Sequence, residues 1–284
     1  MKPDIVVGVD LGGTNVRAGR VEAGRLAEVR SVAVRSGGTE REVLEDLFTA
    51  LDAVVRKDTA GIGAGVPSVI DLKSGVVYDV QNIPSWRKVP LKAYLEERYH
   101  LPAAVNNDAN CFAAGEKYFG KAKPFDHAVG LILGTGLGAG VIANGKLYSG
   151  TNCGAGEFGM LPYLDRNFEA YASGQFFERV HGVSGRELSG RAARGDSRAL
   201  KIFAEFGRHV GEVIKAICYA VDPEAIILGG SVSQAFPFFR DAMWETFRTF
   251  VYSITKERLA IEVSETENIA ILGAAALTYD ALTK

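Results

Sequence analysis

Two stretches of this chain, 121 residues apart, are near-copies of each other. Residues 13–26 read Gly-Thr-Asn-Val-Arg-Ala-Gly-Arg-Val-Glu-Ala-Gly-Arg-Leu, and residues 134–147 read Gly-Thr-Gly-Leu-Gly-Ala-Gly-Val-Ile-Ala-Asn-Gly-Lys-Leu. Gly13/Gly134, Thr14/Thr135, Ala18/Ala139, Gly19/Gly140, Gly24/Gly145 and Leu26/Leu147 are identical, and three further positions are conservative. Each copy follows an apolar run, residues 5–9 or 128–133, so each reads as strand, Gly-Thr turn, strand, Gly turn, strand. Turns this short leave no room for a crossover, so the strands they join are antiparallel. Glycine-rich turns bring backbone N–H groups close to an anion. A pair of them predicts a clamp for a polyphosphate.

The rest of the chain alternates strands with helices, which predicts an α/β protein. Residues 40–57 carry Val43, Leu44, Leu47, Phe48, Leu51, Val54 and Val55 at three- and four-residue spacing, an amphipathic helix capped near Thr39. Strand 62–66 ends in Gly-Val-Pro. A helix over 90–100, a buried strand over 103–105 and a helix from Asn107 to about Gly120 follow. In the second half a long helix over about 196–221 stops at Asp222-Pro223. Strand 225–228 then ends in Gly229-Gly230-Ser231, a helix is expected over roughly 233–251, and a last one closes the chain.

Composition narrows the function classes. At 284 residues the chain has enough length for two lobes with separate cores. A net charge of −2 gives no basic field for nucleic acid or an anionic membrane. Cys111, Cys153 and Cys218 are scattered and form no C-x-x-C, so they read as buried thiols of a reducing compartment. The N-terminus has neither a signal-peptide pattern nor a membrane span, which makes the cytoplasm the expected location.

Five segments carry candidate chemistry. Asp10-Leu-Gly12-Gly13-Thr14-Asn15 ends the first strand; its glycines and Thr14 suit phosphate, and Asp10 suits Mg²⁺ held through water, although a plain hairpin also welcomes Gly-Gly. Gly134-Thr135-Gly136-Leu-Gly-Ala139 fits the dinucleotide fingerprint, but a strand rather than a helix follows it, which argues against a nicotinamide enzyme. Asn107-Asp108 sits where a strand meets a helix. The pair either caps that helix or supplies a general base, the carboxylate taking the proton of a substrate hydroxyl. Glu157, set among glycines 154, 156 and 159, suits a polyhydroxylated ligand, whereas Asn82 and Glu169 are individually unremarkable. Gly229-Gly230 lets an adenine lie on bare backbone or makes a tight strand-to-helix turn.

Taken together these motifs resemble one family. Asp10-x-Gly-Gly-Thr, Gly65-x-Pro67, Asn107-Asp108-Ala-Asn, Gly134-Thr-Gly-x-Gly138-x-Gly140, Gly156-Glu157-x-Gly159 and Leu228-Gly229-Gly230 occur in order over nearly the whole chain. The set is similar to the ROK (repressor, open reading frame, kinase) family within the actin-like ATPase superfamily. The resemblance implies a two-lobed, duplicated ribonuclease H-like α/β fold with a cleft between lobes. One lobe spans 1–116 and is completed by a helix over 270–284; the other spans 117–269. It implies a hexose kinase of the glucokinase type that transfers the γ-phosphoryl group of Mg-ATP to the sugar 6-hydroxyl. Asp108 then matches the catalytic base and Asp10 the acid near Mg²⁺. Gly12, Gly13, Thr14 and Asn15 match one phosphate turn, Gly134, Thr135 and Gly136 the other, and Gly229 and Gly230 the adenosine motif. Gly65, Asn82, Asn107, Asp108, Glu157 and Glu169 match the hexose positions.

One departure bears on the substrate. Many members follow Gly-Glu-x-Gly with His and a cysteine cluster for zinc; here the His position is Met160, and no Cys or His occurs between Leu161 and Val180. Four zinc donors at tight spacing are therefore lacking, and no structural zinc is expected. The segment 161–177, rich in aromatics, is expected to fold by aromatic packing. Glucose is the expected hexose, with N-acetylglucosamine, N-acetylmannosamine, mannose or fructose as alternatives. A repressor-type sugar sensor that does not bind DNA is the reading from another class, because no helix-turn-helix precedes the first core strand and no basic helix occurs. A homodimer with no nucleic-acid or membrane partner is expected.

Overall fold

The computed structural model describes residues 5–282. They form two compact units, one of the described residues up to 124, 146–155 and the described residues from 266 on, the other of residues 125–145 and 156–265. In the first unit β1 (Ile5–Leu11), β2 (Asn15–Glu22) and β3 (Arg25–Ala33) form a meander. Then come α1 (Glu40–Asp52), β4 (Ile62–Val66), three short strands β5 (Val69–Asp71), β6 (Val76–Tyr78) and β7 (Lys88–Val89), α2 (Leu91–Tyr99), β8 (Ala103–Asn107) and α3 (Asp108–Tyr118). Strand β1 is antiparallel to β2 and parallel to β4, which is parallel to β8.

The second unit repeats this plan. β9 (Ala128–Leu133) is antiparallel to β10 (Leu137–Ala143) and parallel to β14 (Ala225–Gly229), which is parallel to β15 (Ala260–Val263). Along the chain β11 (Lys146–Tyr148), which belongs to the first unit, comes next, and the second unit continues with β12 (Pro162–Tyr163), β13 (Arg166–Asn167), α4 (Glu169–Ala172), α5 (Gly174–His181), α6 (Gly185–Ala193) and α7 (Ser197–Val221). After β14 come α8 (Phe236–Phe247) and α9 (Ser253–Arg258), and α10 (Ile269–Leu282) closes the chain. The sequence repeat is thus a structural repeat. It is offset by one residue, because the first turn closes Leu11 on Val16 and the second closes Leu133 on Leu137.

Local signals set several boundaries. Thr39 caps α1 in a full capping box with Glu42, as its position in the sequence suggests. Asp196 caps α7 by accepting from the N–H groups of Arg198 and Ala199, and Asp222 in the left-handed region ends that helix before Pro223. Two expected helices are shorter than their apolar periodicity. α1 stops at Asp52, where the 51–55 segment turns back on the Leu51 carbonyl, and the helix expected over 233–251 starts as a 3₁₀ turn over Ser231–Ala235 before α8. The 161–177 segment does pack through aromatics: Tyr163 stacks on Phe168 at 4.5 Å, meets Tyr171 edge-on, and its hydroxyl lies 3.0 Å from His209 Nδ1. Arg179 covers the Tyr171 face at 4.6 Å. Among the described residues no group of three or more His, Cys, Asp or Glu is placed to hold a metal ion, and no helix is long and apolar enough to cross a membrane.

α10 approaches its neighbours backbone to backbone. A Cβ on Gly8 of β1 would lie 1.9 Å from the Ile271 carbonyl oxygen, and one on Gly63 of β4 would lie 1.7 Å from that of Ala274. Likewise a Cβ on Gly273 would lie 1.6 Å from the Cys111 carbonyl oxygen of α3. These glycines let α10 press on β1, β4 and α3, the elements that carry Asp10, Gly65 and Asp108. The apolar core of this unit lies on the strands, with Val7, Val9, Ile62, Ala64 and Leu47 fully buried.

Candidate active site

In the first unit the strand register gathers the candidates at one sheet edge. Asp10 of β1 is the parallel neighbour of Gly65 in β4, and Gly65 and Val66 are the neighbours of Asn106 and Asn107 in β8. Asp108 then opens α3. Parallel strands present ligands at their carboxyl ends, so Asp10, Gly65, Asn107 and Asp108 share that edge. Cys111, one turn along α3, reports their closeness: burial first, then the charges of Asp108 and Asp10, push its thiol well above the ordinary range. It is a neutral packing group, and its Sγ sits 2.9 Å from where a Gly65 Cβ would be. Gly65 therefore leaves room for the thiol.

The cap and the candidate base are separate residues. Asn107 is the N-cap, its Oδ1 accepting from Ala109 N at 2.9 Å, and its Nδ2 donates to the Ser68 carbonyl. Asp108 Oδ1 also accepts from Ala109 N. Behind them Asn106 is a buried hub, its Oδ1 accepting from Asn107 N, Asn110 Nδ2 and Cys153 Sγ while its Nδ2 donates to Ser149 Oγ. The sequence reading did not single out Asn106, because an Asn beside an Asn-Asp pair carries no local signal of its own.

The first turn is closed by Gly12 N donating to the Asn15 carbonyl at 2.9 Å. Thr14 and Asn15 are exposed, and a Cβ on Gly13 would lie 2.6 Å from Asn82 Cβ, so the turn and Asn82 are neighbours. Asp10 is ion-paired by Arg17, its cross-strand partner on β2, and Arg17 also donates to Asn268 Oδ1 at 3.4 Å. One carboxylate at a strand end fits a Mg²⁺ that keeps its waters and arrives on nucleotide phosphates; it does not fit a metal caged by protein alone.

The second unit holds the other set. Gly134, Thr135 and Gly136 form a turn closed by Gly134 N donating to the Gly136 carbonyl at 3.0 Å. This turn borders a cavity of about 490 Å³, the size of small-molecule sites in general. Its walls include Gln175 and Glu178 of α5, Arg186 and Ser189 of α6, and Ser231 and Gln234 after β14. Gly230 (φ +85°) has no room for a Cβ, which would sit 2.4 Å from the Leu133 carbonyl oxygen. Gly229 and Gly230 therefore aim residues 231–235 at the cavity and do not line it themselves. The polar lining on α5 and α6 was not foreseen, since those helices carry no motif.

Glu157 and Glu169 lie in this unit as well. Partial burial and then the Glu169 charge raise the Glu157 pKa above its ordinary 4.5. Glu169 Oε2 accepts from Leu137 N at 3.0 Å and Oε1 accepts from Gln175 Nε2 at 3.1 Å. Met160, at the position where relatives of the resembled family carry His, is 48% exposed. Its thioether supplies no hydrogen-bond donor.

Comparison with known proteins assigns the chain to a family. The family model described as ROK family matches residues 6–281. A glucokinase of Halalkalibacterium halodurans is 30% identical over 267 residues, covering 81% of each chain. The crystal structure of a ROK glucokinase from Streptomyces griseus in complex with glucose and AMPPNP is similar at 29% identity, with a TM-score of 0.82 over 96% of this chain and 98% of that one. A ROK hexokinase from Thermus thermophilus is similar at 30% identity, with a TM-score of 0.86 over 98% and 99%. With a duplicated α/β core, paired Gly-Thr turns and a family match over nearly its whole length, this chain belongs to the ROK family.

Proposed function

We propose that the protein is an ATP-dependent hexose kinase that transfers the γ-phosphoryl group of Mg-ATP to the 6-hydroxyl of glucose. The observation that carries this reading is the recurrence of the Gly-Thr turn once in each unit, the first following Asp10 at the sheet edge shared with Asp108 and the second bordering a cavity of about 490 Å³. Asp108 accepts the proton of the 6-hydroxyl as its oxygen attacks phosphorus. Gly65, Asn82, Asn107, Glu157 and Glu169 read the other hydroxyls, and the turns at 12–15 and 134–136 hold the phosphates through backbone N–H groups. Asp10 would hold Mg²⁺ through water, and the ion would supply neutralisation of the phosphate charge. Positioning and charge neutralisation supply most of the rate, with the general base adding to them.

The proposal extends to a homodimeric enzyme of the cytoplasm that feeds glycolysis with hexose 6-phosphate. Tyr219 and Tyr252, which both meet the Phe250 ring, are exposed in the second unit, as are Val221, Val251 and Ile254; exposed apolar side chains of this kind suit a second copy, and sedimentation of the purified chain tests it. N-acetylglucosamine, N-acetylmannosamine and fructose stand behind glucose because Met160 removes a donor that would read one end of the ring. A coupled ADP-release assay over these sugars decides: glucose is expected to give the highest kcat/KM, and a panel with no sugar-dependent turnover would favour the sensor reading.

Glu157 gives a pH prediction. As a carboxylate it accepts from sugar hydroxyls, and that capacity is lost as pH falls through its raised pKa. Glucose affinity is expected to weaken on mild acidification, at a pH where ordinary carboxylates are still ionised. In Glu157→Gln affinity is lower at neutral pH and this part of the acid limb is absent. Glucose titrations of both proteins at a series of pH values check it, and identical acid limbs would refute the assignment.

A further inference from the structure

The second Gly-Thr turn does not stand alone, because residues 169–175 clasp it at every position. Gly174 N donates to the Gly134 carbonyl at 2.7 Å, Ser173 Oγ donates to the Thr135 carbonyl at 3.1 Å, and Glu169 Oε2 accepts from Leu137 N at 3.0 Å. Any side chain at Gly136 would collide with this carboxylate, since its Cβ would lie 2.6 Å from Glu169 Oε2. The other carboxylate oxygen is held by Gln175, whose neighbour Gly174 lines the nucleotide cavity with it. Glu169 thus spans from the end of the phosphate turn to the cavity wall. It also lies close enough to Glu157 for its charge to be felt there.

We propose that Glu169 is a positioning residue for the second phosphate turn, and that it couples hexose occupancy to nucleotide affinity. The coupling rests on the reading of Glu169 as a hexose contact; the anchoring of the turn does not. A carboxylate has about four lone-pair sites. Two are used by Leu137 N and Gln175 Nε2, leaving acceptor capacity for a sugar hydroxyl. A hydroxyl bound there removes the alternative of water and fixes the carboxylate, so the turn pays less to become ordered around phosphate. Energetic linkage of this kind is reciprocal, so nucleotide tightens hexose by the same factor that hexose tightens nucleotide.

Binding of a non-hydrolysable ATP analogue with Mg²⁺, measured by calorimetry with and without glucose, tests both parts. In the absence of glucose, Glu169→Ala is expected to bind the analogue about 10-fold more weakly, as befits loss of a hydrogen bond to a charged group near the surface. Glu169→Gln keeps an oxygen for Leu137 N, and a flip of the Gln175 amide satisfies its NH₂, so its affinity without glucose stays within about 3-fold of the parent. Adding saturating glucose tightens the analogue severalfold in the parent and not at all in Glu169→Ala. A residue that only binds sugar leaves the glucose-free affinity of Glu169→Ala unchanged, and that result would overturn the anchoring role. If Glu169→Ala weakens the analogue but binds glucose as the parent does, the coupling is overturned together with the hexose contact, while the kinase reading is judged separately by the sugar panel. A thermal melt of Glu169→Ala matching the parent, expected for a partly exposed side chain, separates positioning from misfolding.

Discussion

Asp108→Asn is expected to lower kcat by about 10²–10⁴-fold, the usual contribution of general-base help, while glucose affinity changes by only a few-fold. The amide has the shape of the carboxylate and still hydrogen-bonds a hydroxyl, but it does not take its proton at neutral pH. The start of α3 survives the change, because the N-cap is Asn107 and not Asp108. Turnover by ADP release and glucose binding by intrinsic fluorescence measure the two effects separately. Retention of turnover within about 10-fold would mean that another group takes the proton.

Gly273→Ala is expected to have the largest effect on stability. Its new methyl would lie 1.6 Å from the Cys111 carbonyl oxygen and 2.7 Å from Gly115 N, backbone atoms that have no rotamer by which to yield. α10 must then separate from α3, and on its other side it presses on Gly8 and Gly63 of the sheet. Overpacking of this kind costs about 1–3 kcal/mol or more, and each kcal/mol lowers Tm by roughly 2–4 °C in a protein somewhat smaller than this one. Because α3 begins at Asp108, kcat is expected to fall with Tm. Gly37→Ala is the control: nothing lies within 4 Å of its added Cβ, so it should melt like the parent. Equal melts for the two variants would show that α10 does not lie as close to α3 as described.

Much of the architecture was legible because its signals are local. A Gly-Thr turn between apolar runs is visible at a glance, and its recurrence 121 residues later predicts two related sheets, which the strand pairings bear out. Caps at Thr39, Asn107 and Asp196 lie where side chains that compete with the backbone are favoured. The aromatics of the 161–177 segment were enough to predict that it packs on rings. Helix ends were less legible. Val54 and Val55 continue the apolar period of α1, yet their N–H groups bond to Leu51 in a turn, since burial is as well served by a turn as by a helix.

The site was legible as a set of residue types and not as a set of partners. Glu169 reads as an ordinary acid until the fold brings Leu137 to its carboxylate across 32 residues, and Arg17 reads as a strand residue until pairing sets it against Asp10. Asn106 has no motif of its own, yet it holds residues 149 and 153 near the start of α3.

The sequence by itself therefore determined the repeat, the turns, the helix caps and the chemistry available at Asp10, Asp108 and the two Gly-Thr turns, because periodicity and steric freedom act over a few residues. Only the tertiary structure decided which of these groups meet. α10, from the far end of the chain, holds the sheet and α3 together through glycine contacts, and residues 169–175 decide where the second turn stands. Those contacts join residues far apart in the chain, and their worth depends on a close approach that no local pattern encodes.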